Sequence, residues 1–167
     1  IDELSTDTTP FSDVYLDSAH ERETHIIVIG ESTSRLHFGL YNYTRQTTPL
    51  LNEISDDLHV FDDVVSGETY TVGSLMKALV VRNENQYVGN LIQLLNQVGF
   101  KTFWFSNQPP IGIYETLVTK LALSSDVSRF LTTESPEEQT NYDAVLLDEL
   151  SQAFNDPSEK KIIFLHL

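Results

Sequence analysis

Apolar residues recur along this chain in two rhythms. "HIIVIG" (25–30), "KTFWFS" (101–106) and "KIIFLHL" (161–167) are short, nearly continuous apolar runs rich in β-branched and aromatic residues. That is the pattern of strands buried on both faces of a parallel sheet. "LHVFDDVVS" (58–66) alternates and predicts another strand, and "DVSRFLT" (126–132) a short one. Between them run helical stripes. "TVGSLMKALV" is apolar at 72, 75, 76, 79 and 80, and "NLIQLLNQVGF" (90–100) predicts a second amphipathic helix, stopped by Gly99. "IYETLVTKLAL" (113–123) and "NYDAVLLDELSQAF" (141–154) predict two more, the latter broken by "NDPSEK". "PLLNEIS" predicts a short helix, with Thr47 or Thr48 as N-cap and Pro49 in its first turn. Strands alternating with helices predict an α/β fold with a mostly parallel central sheet. Residues 1–24 are polar and acidic and read as a linker or surface-hugging arm.

Charge narrows the partners. The 167 residues carry 25 acids against 10 bases, a formal net charge of −15. No basic stripe is available to displace counterions from nucleic acid, so a nucleic-acid partner is not expected. Adsorption to an anionic membrane surface is disfavoured for the same reason. An anionic substrate would need a metal or a few placed bases to overcome the field. With no cysteine, disulfides and thiolate metal sites are excluded. The apolar runs are strand-sized, well short of the ~20 residues of a membrane span. The chain does not begin with Met and stops on an apolar strand, so the expectation is an excised piece of a domain that continues past Leu167.

In open α/β sheets, ligands collect at the carboxyl ends of the strands. Glu31 follows the first strand, "SGETYT" (66–71) the second and "SNQ" (106–108) the third, while His166 lies near the end of the last. A carboxylate and a hydroxyl facing each other there suit a divalent metal, and a Thr at a helix N-terminus meets the positive end of the dipole. Each residue also has an ordinary reading. Glu31 can pair with Arg35 four positions on, Thr71 can be an N-cap, and Asn107 and Gln108 can form a turn. His166 can be a core histidine, and His37 and His59 read as surface residues.

One stretch weights these alternatives. "VIGESTSRLHFGLYNYTRQTTPLL" resembles the signature of the membrane-anchored phosphoethanolamine transferases of Gram-negative bacteria, within the alkaline phosphatase/sulfatase-like superfamily. The matching positions are Gly30-Glu31-Ser32, Arg35, Asn42-Tyr43, Arg45 and Thr47-Thr48-Pro49, with Asn42 where Gly is usual. The likeness continues through "FDDVVSGETYT", "LLNQVGFKTFWFSNQ" and "KKIIFLHL", from about 25 to 167. It is strongest toward the branch that modifies a lipopolysaccharide core heptose phosphate.

The resemblance implies a three-layer sulfatase-like sandwich, here partial: residues 1–24 as an arm after a missing membrane domain, and 25–167 as the N-terminal part of the catalytic domain. It implies zinc held by Glu31 and Thr71, with Thr71 as nucleophile (Thr69 a competitor) and Asn107, Gln108 and His166 as substrate-binding residues. The family completes its metal site with an Asp-His pair and another His from its second half, which is not in this sequence, so weak metal binding and no turnover are expected of the isolated chain. The implied reaction moves phosphoethanolamine from phosphatidylethanolamine through a threonine intermediate to a lipopolysaccharide sugar phosphate, on core heptose or lipid A. It would occur on the periplasmic side of the inner membrane and weaken binding of cationic peptides such as polymyxin. Two alternatives remain: a sulfatase- or phosphodiesterase-type hydrolase, and a non-catalytic remnant of the same fold.

Overall fold

The computed structural model describes residues 9–17, 21–84, 86–110, 116–132 and 141–167. They form two compact units, one comprising 1–29 with 67–167 and the other 30–66.

The larger unit is built on a four-stranded parallel sheet. Its strands are β1 (Glu23–Ile29), β4 (Lys101–Ser106), β5 (Val127–Phe130) and β6 (Lys160–His166), in the order β1-β6-β4-β5. A two-stranded antiparallel hairpin, β2 (Val80–Asn83) and β3 (Gln86–Asn90), stands apart from it. β6 is the central strand and is buried from Lys161 to His166, as a run apolar on both faces requires. The apolar runs at 25–30, 161–167 and 101–106 thus lie side by side as β1, β6 and β4.

Register explains the two cores. Ile27, Phe164 and Trp104 stand side by side on β1, β6 and β4. The Trp104 and Phe164 rings stack with centroids 5.3 Å apart. This face packs against α2 (Thr71–Leu79), α3 (Leu91–Gln97) and α4 (Thr116–Ala122) through Leu75, Leu79, Ile92 and Leu121. The alternate residues Phe103, Phe105, Ile163 and Leu165 face the other way, onto Leu146 and Ala153 of α5 (Leu146–Phe154). Each such buried side chain contributes about 1.5–3 kcal/mol. Helices on both faces of one parallel sheet make three layers.

β1 departs from expectation. Ile27 and Ile29 face the first core, but Ile26 and Val28 are 41% and 58% exposed. Among the described residues β1 is an edge strand, and α5 packs on β4 and β6. The predicted helices at 71–80, 90–100, 113–123 and 141–154 are present as α2, α3, α4 and α5 within the described residues, while 111–115 lie outside them. α3 opens on a capping box: Asn90 Oδ1 accepts from Gln93 N–H at 3.0 Å and Gln93 Oε1 from Asn90 N–H at 2.9 Å. It closes on Gly99, at φ +96°, with Gly99 N–H donating to Asn96 and Phe100 N–H to Leu95. At Phe11 the backbone N–H and carbonyl both bond the side-chain amide of Gln97, and Glu23 and Thr24 already belong to β1.

The smaller unit holds a short helix, α1 (Pro49–Glu53), flanked by 3-10 turns. The strand predicted at 58–66 does not form. Two of its carbonyls are taken by side chains instead: Tyr41 Oη donates to Phe61 at 3.1 Å and the Arg35 guanidinium donates to Asp62. Thr48 occupies the N-cap position of α1 without capping it, since its Oγ1 accepts from Gly39 N–H at 3.1 Å.

Candidate functional site

The carboxyl end of the sheet is organised by one register row, in which His166 of β6 lies between Ile29 of β1 and Ser106 of β4. Backbone bonds extend the row: Asn107 N–H donates to His166 and Leu167 N–H to Ile29. Four polar side chains gather there. Ser106 Oγ lies 3.0 Å from His166 Nδ1, and both residues are buried. Gln108 N–H donates to Ser106 Oγ at 3.0 Å, while its side-chain amide donates to the Leu167 carbonyl at 2.7 Å. Asn107 Nδ2 donates to Asp143 Oδ1 at 3.0 Å, which ties the strand end to the 3-10 turn ahead of α5. Of the sequence-predicted residues, Gln108 and His166 are thus linked through Ser106, while Asn107 turns its side chain to Asp143. Ser106, quoted with Asn107 and Gln108 in "SNQ" but given no role of its own from the sequence, links His166 to Gln108. Its signal was position alone, as the last residue of an otherwise apolar strand.

Thr71 is placed by a different device. It is the first residue of α2, after Tyr70 in extended conformation, rather than the N-cap itself. The loop before it folds back along the helix. Ser74 Oγ donates to the Glu68 carbonyl at 3.0 Å, and Lys77 Nζ donates to the Gly67 carbonyl at 2.9 Å and to Glu68 Oε1 at 2.6 Å. Gly73 lets this happen, because a Cβ there would sit 2.8 Å from the Tyr70 ring. The clamp holds Thr71 half-buried in the first helical turn, where the dipole favours negative charge, and leaves Thr69 exposed. Alongside α2 runs a cleft of about 500 Å³, lined by Tyr70, Val72, Met76 and Val80 with Lys77 and Arg82.

Glu31 belongs to the smaller unit and is half-buried. Around it the signature residues hold the chain in shape. Thr33 Oγ1 donates to the Glu31 carbonyl at 2.7 Å, Ser32 has φ +48°, and Thr47 Oγ1 donates to the His37 carbonyl. The Arg35 guanidinium also lies over the Tyr41 ring, 5.9 Å from its centroid. Asn42 stands at φ +65°, a conformation Gly adopts freely and Asn tolerates better than other residues, so this departure from the usual Gly keeps the backbone intact. Arg35, Tyr41, Thr47 and Thr48 therefore spend polar groups on structure. His37 and His59 are exposed, stacked edge-on against Tyr43 and Phe61. Among the described residues, no three His, Asp or Glu side chains lie together as a metal-binding group. Glu31, in the smaller unit, and Thr71, in the larger, each carry an oxygen donor of a kind zinc accepts.

Comparison with known proteins places this geometry. The family described as "Sulfatase" matches residues 23–167. The phosphoethanolamine transferase EptC of Escherichia coli is 33% identical over 166 residues, 95% of this chain and 29% of that protein. The phosphoethanolamine transferase CptA of Salmonella typhimurium is 33% identical over 152 residues, 86% of this chain and 26% of that protein. The crystal structure of the C-terminal periplasmic domain of Escherichia coli EptC in complex with Zn superposes with a TM-score of 0.82 at 34% identity, over 90% of this chain and 44% of that one. The chain spans under a third of the length of these curated relatives. With a partial three-layer α/β fold and a family match over nearly all of its length, this chain belongs to the sulfatase family, and its relatives there are phosphoethanolamine transferases.

Proposed function

We propose that this chain is part of a transferase that moves phosphoethanolamine from phosphatidylethanolamine to a phosphate on a lipopolysaccharide sugar, core heptose or lipid A, through a covalent intermediate on Thr71. The observation that carries the reading is Thr71 at the head of α2, with the loop before it clamped by Ser74 and Lys77. A nucleophile so held loses little freedom on reaching the phosphorus. In the first step Thr71 Oγ attacks phosphorus, the P–O bond to diacylglycerol breaks, and the hydroxyl proton passes to the departing oxygen. In the second, an acceptor phosphate oxygen attacks the same phosphorus, the P–O bond to Thr71 breaks, and the acceptor's proton returns to Thr71 Oγ. The cleft beside α2, apolar along Val72, Met76 and Val80, suits the glycerol and first acyl carbons of a phospholipid.

Asn107, Gln108 and His166 supply polar groups for the phosphoryl oxygens. Zinc is the metal we propose, held by Glu31 and Thr71 together with further ligands; when bound it lowers the hydroxyl pKa and offsets phosphate charge. Such a cation answers the −15 charge of the chain, which would otherwise disfavour an anionic phosphoryl group in the site. Attachment to the inner membrane, with this domain on the periplasmic side, is part of the same proposal. Among the described residues no helix is long and apolar enough to cross a membrane, so the anchor would be another segment.

Intact-mass spectrometry of the whole protein after incubation with phosphatidylethanolamine tests the reading. A phosphoethanolamine adduct is expected on the wild type and not on Thr71→Ala. An adduct that persists in Thr71→Ala moves the nucleophile to Thr69 or elsewhere. Release of free phosphoethanolamine with no acceptor present makes the protein a hydrolase instead.

A further inference from the structure

We propose that Ser106 is a positioning residue that fixes His166 as its Nε2–H tautomer, so that the neutral imidazole donates a hydrogen bond to an anionic phosphoryl oxygen and does not ligate metal. The second half of this statement rests on the phosphoryl-transfer reading above; the first half rests on geometry alone.

Ser106 and His166 are register partners on adjacent strands, so their side chains rise from the same face of the sheet. Ser106 is 0% exposed and His166 2% exposed, and their polar atoms meet at 3.0 Å through Nδ1. The Trp104 ring stands edge-on to the imidazole, 5.9 Å between centroids, and limits its rotation. Turning the ring over would set a carbon against Ser106 Oγ and forfeit the bond.

The hydroxyl has one proton to give and three neighbours. Gln108 N–H donates to Oγ at 3.0 Å, which uses a lone pair and makes the O–H a stronger donor. The proton then goes to His166 Nδ1 at 3.0 Å or to the Gln108 carbonyl at 3.2 Å. The imidazole nitrogen is both the nearer and the more basic acceptor. With Nδ1 accepting, a neutral ring carries its proton on Nε2. A zinc-binding histidine has the opposite arrangement when Nε2 is the ligand, with Nδ1–H donating to an oxygen. The tautomer set by Ser106 therefore separates the two roles. It also gives an oxyanion donor that needs no positive charge in a buried position, where an ion would be costly.

The test is a long-range proton–nitrogen correlation spectrum of the whole protein labelled with ¹⁵N-histidine. It is recorded at about pH 8, where an ordinary histidine is neutral. His166 is identified by its loss in His166→Gln. The expected wild-type pattern is Nε2 protonated and Nδ1 unprotonated, with the Nε2 resonance moving on addition of inorganic phosphate. Ser106→Ala should give a mixture of tautomers, and Ser106→Thr, which keeps the hydroxyl, should restore one. Protonated Nδ1 in the wild type, or the same single tautomer in Ser106→Ala, overturns the role of Ser106. An Nε2 resonance indifferent to phosphate overturns the oxyanion role. Should Ser106→Ala not fold, the wild-type spectrum still decides. In a transfer assay, loss of one hydrogen bond predicts a kcat lower by roughly five- to tenfold with KM little changed. Absence of any transfer beside the expected tautomer would sink the functional reading and leave the positioning of His166 standing.

Discussion

The ammonium of Lys161 lies 2.7 Å from the carbonyl oxygen of Phe154, on a helix to which Lys161 does not belong. The same Nζ donates to the carbonyls of Ala153 at 3.2 Å and Asp156 at 2.9 Å. A lysine 6% exposed, rising from the central strand, thus satisfies the carbonyl end of α5 and meets its negative pole. Lys161→Met keeps the bulk and leaves those carbonyls without their donor. The expected cost is about 2–3 kcal/mol, since bonds to a charged group exceed neutral ones. For a chain of this size that lowers Tm by roughly 5–10 °C. A thermal melt checks it, and a shift under about 2 °C would mean that the site relaxes or admits water.

The turn after α5 carries a pH dependence. The Ser158 hydroxyl and then the Ser158 backbone N–H, 2.9 Å from Asp156 Oδ1, hold the Asp156 carboxyl below the usual aspartate range. A carboxyl whose pKa is lower folded than unfolded stabilises the protein above its unfolded pKa, and that contribution disappears as pH falls through the folded value. Asp156→Ala should therefore be less stable than wild type at pH 7. The difference should shrink through acid pH, below the 3.8 of an unperturbed carboxyl. The side chain is partly exposed, so the effect is small and is best read from paired denaturant titrations. A difference that stays constant into strong acid would assign it to the turn's conformation instead.

Asn90 makes a third test. Its side chain caps α3 and also donates to Ser124 Oγ at 3.0 Å, while the reciprocal partner Gln93 receives Tyr87 Oη at 3.1 Å. Asn90→Ala removes the cap in a buried setting, at about 1–2 kcal/mol. Asn90→Asp, which keeps the acceptor for Gln93 N–H, should recover most of it. Equal losses in the two variants would place the stabilisation in the Ser124 contact.

These contacts also show what the sequence discloses and what it hides. β4 and β6 are legible because Phe103, Trp104, Ile163 and Phe164 are apolar on successive positions, which only a strand covered on both faces needs. "HIIVIG" looks the same, yet among the described residues β1 has a partner on one side, and residue type does not count neighbours. The alternation in 58–66 is real, but Arg35 and Tyr41 claim the carbonyls of Asp62 and Phe61, a competition invisible along the chain. The β2–β3 hairpin was missed because Val80 continues the helical stripe of α2, and the turn signal at Asn83-Glu84-Asn85 is weak. Strand-end positions disclosed Asn107, Gln108 and His166. Ser106 pairs with His166 across 60 residues of sequence, and only register brings them together.

The last prediction concerns β1. Its inner side bonds to β6, and among the described residues no strand pairs with its outer side. Ile26 and Val28 project from the same edge onto solvent. An unpaired strand flanked by exposed β-branched side chains is a template for another chain. The 167-residue chain should therefore self-associate, through β1 rather than through its acidic surface, and high salt should strengthen the association by screening the −15 charge. Replacing Ile26 and Val28 together by Thr keeps β-branching, and so strand preference, while removing apolar surface. Light scattering should fall toward the monomer value in the double variant. Its Tm should stay within about 2 °C of wild type, because side chains already in water give up little when made polar. Unchanged scattering in the double variant would move the associating surface elsewhere. A steep loss of Tm would mean that Ile26 and Val28 are packed in solution, and β1 would not be an open edge.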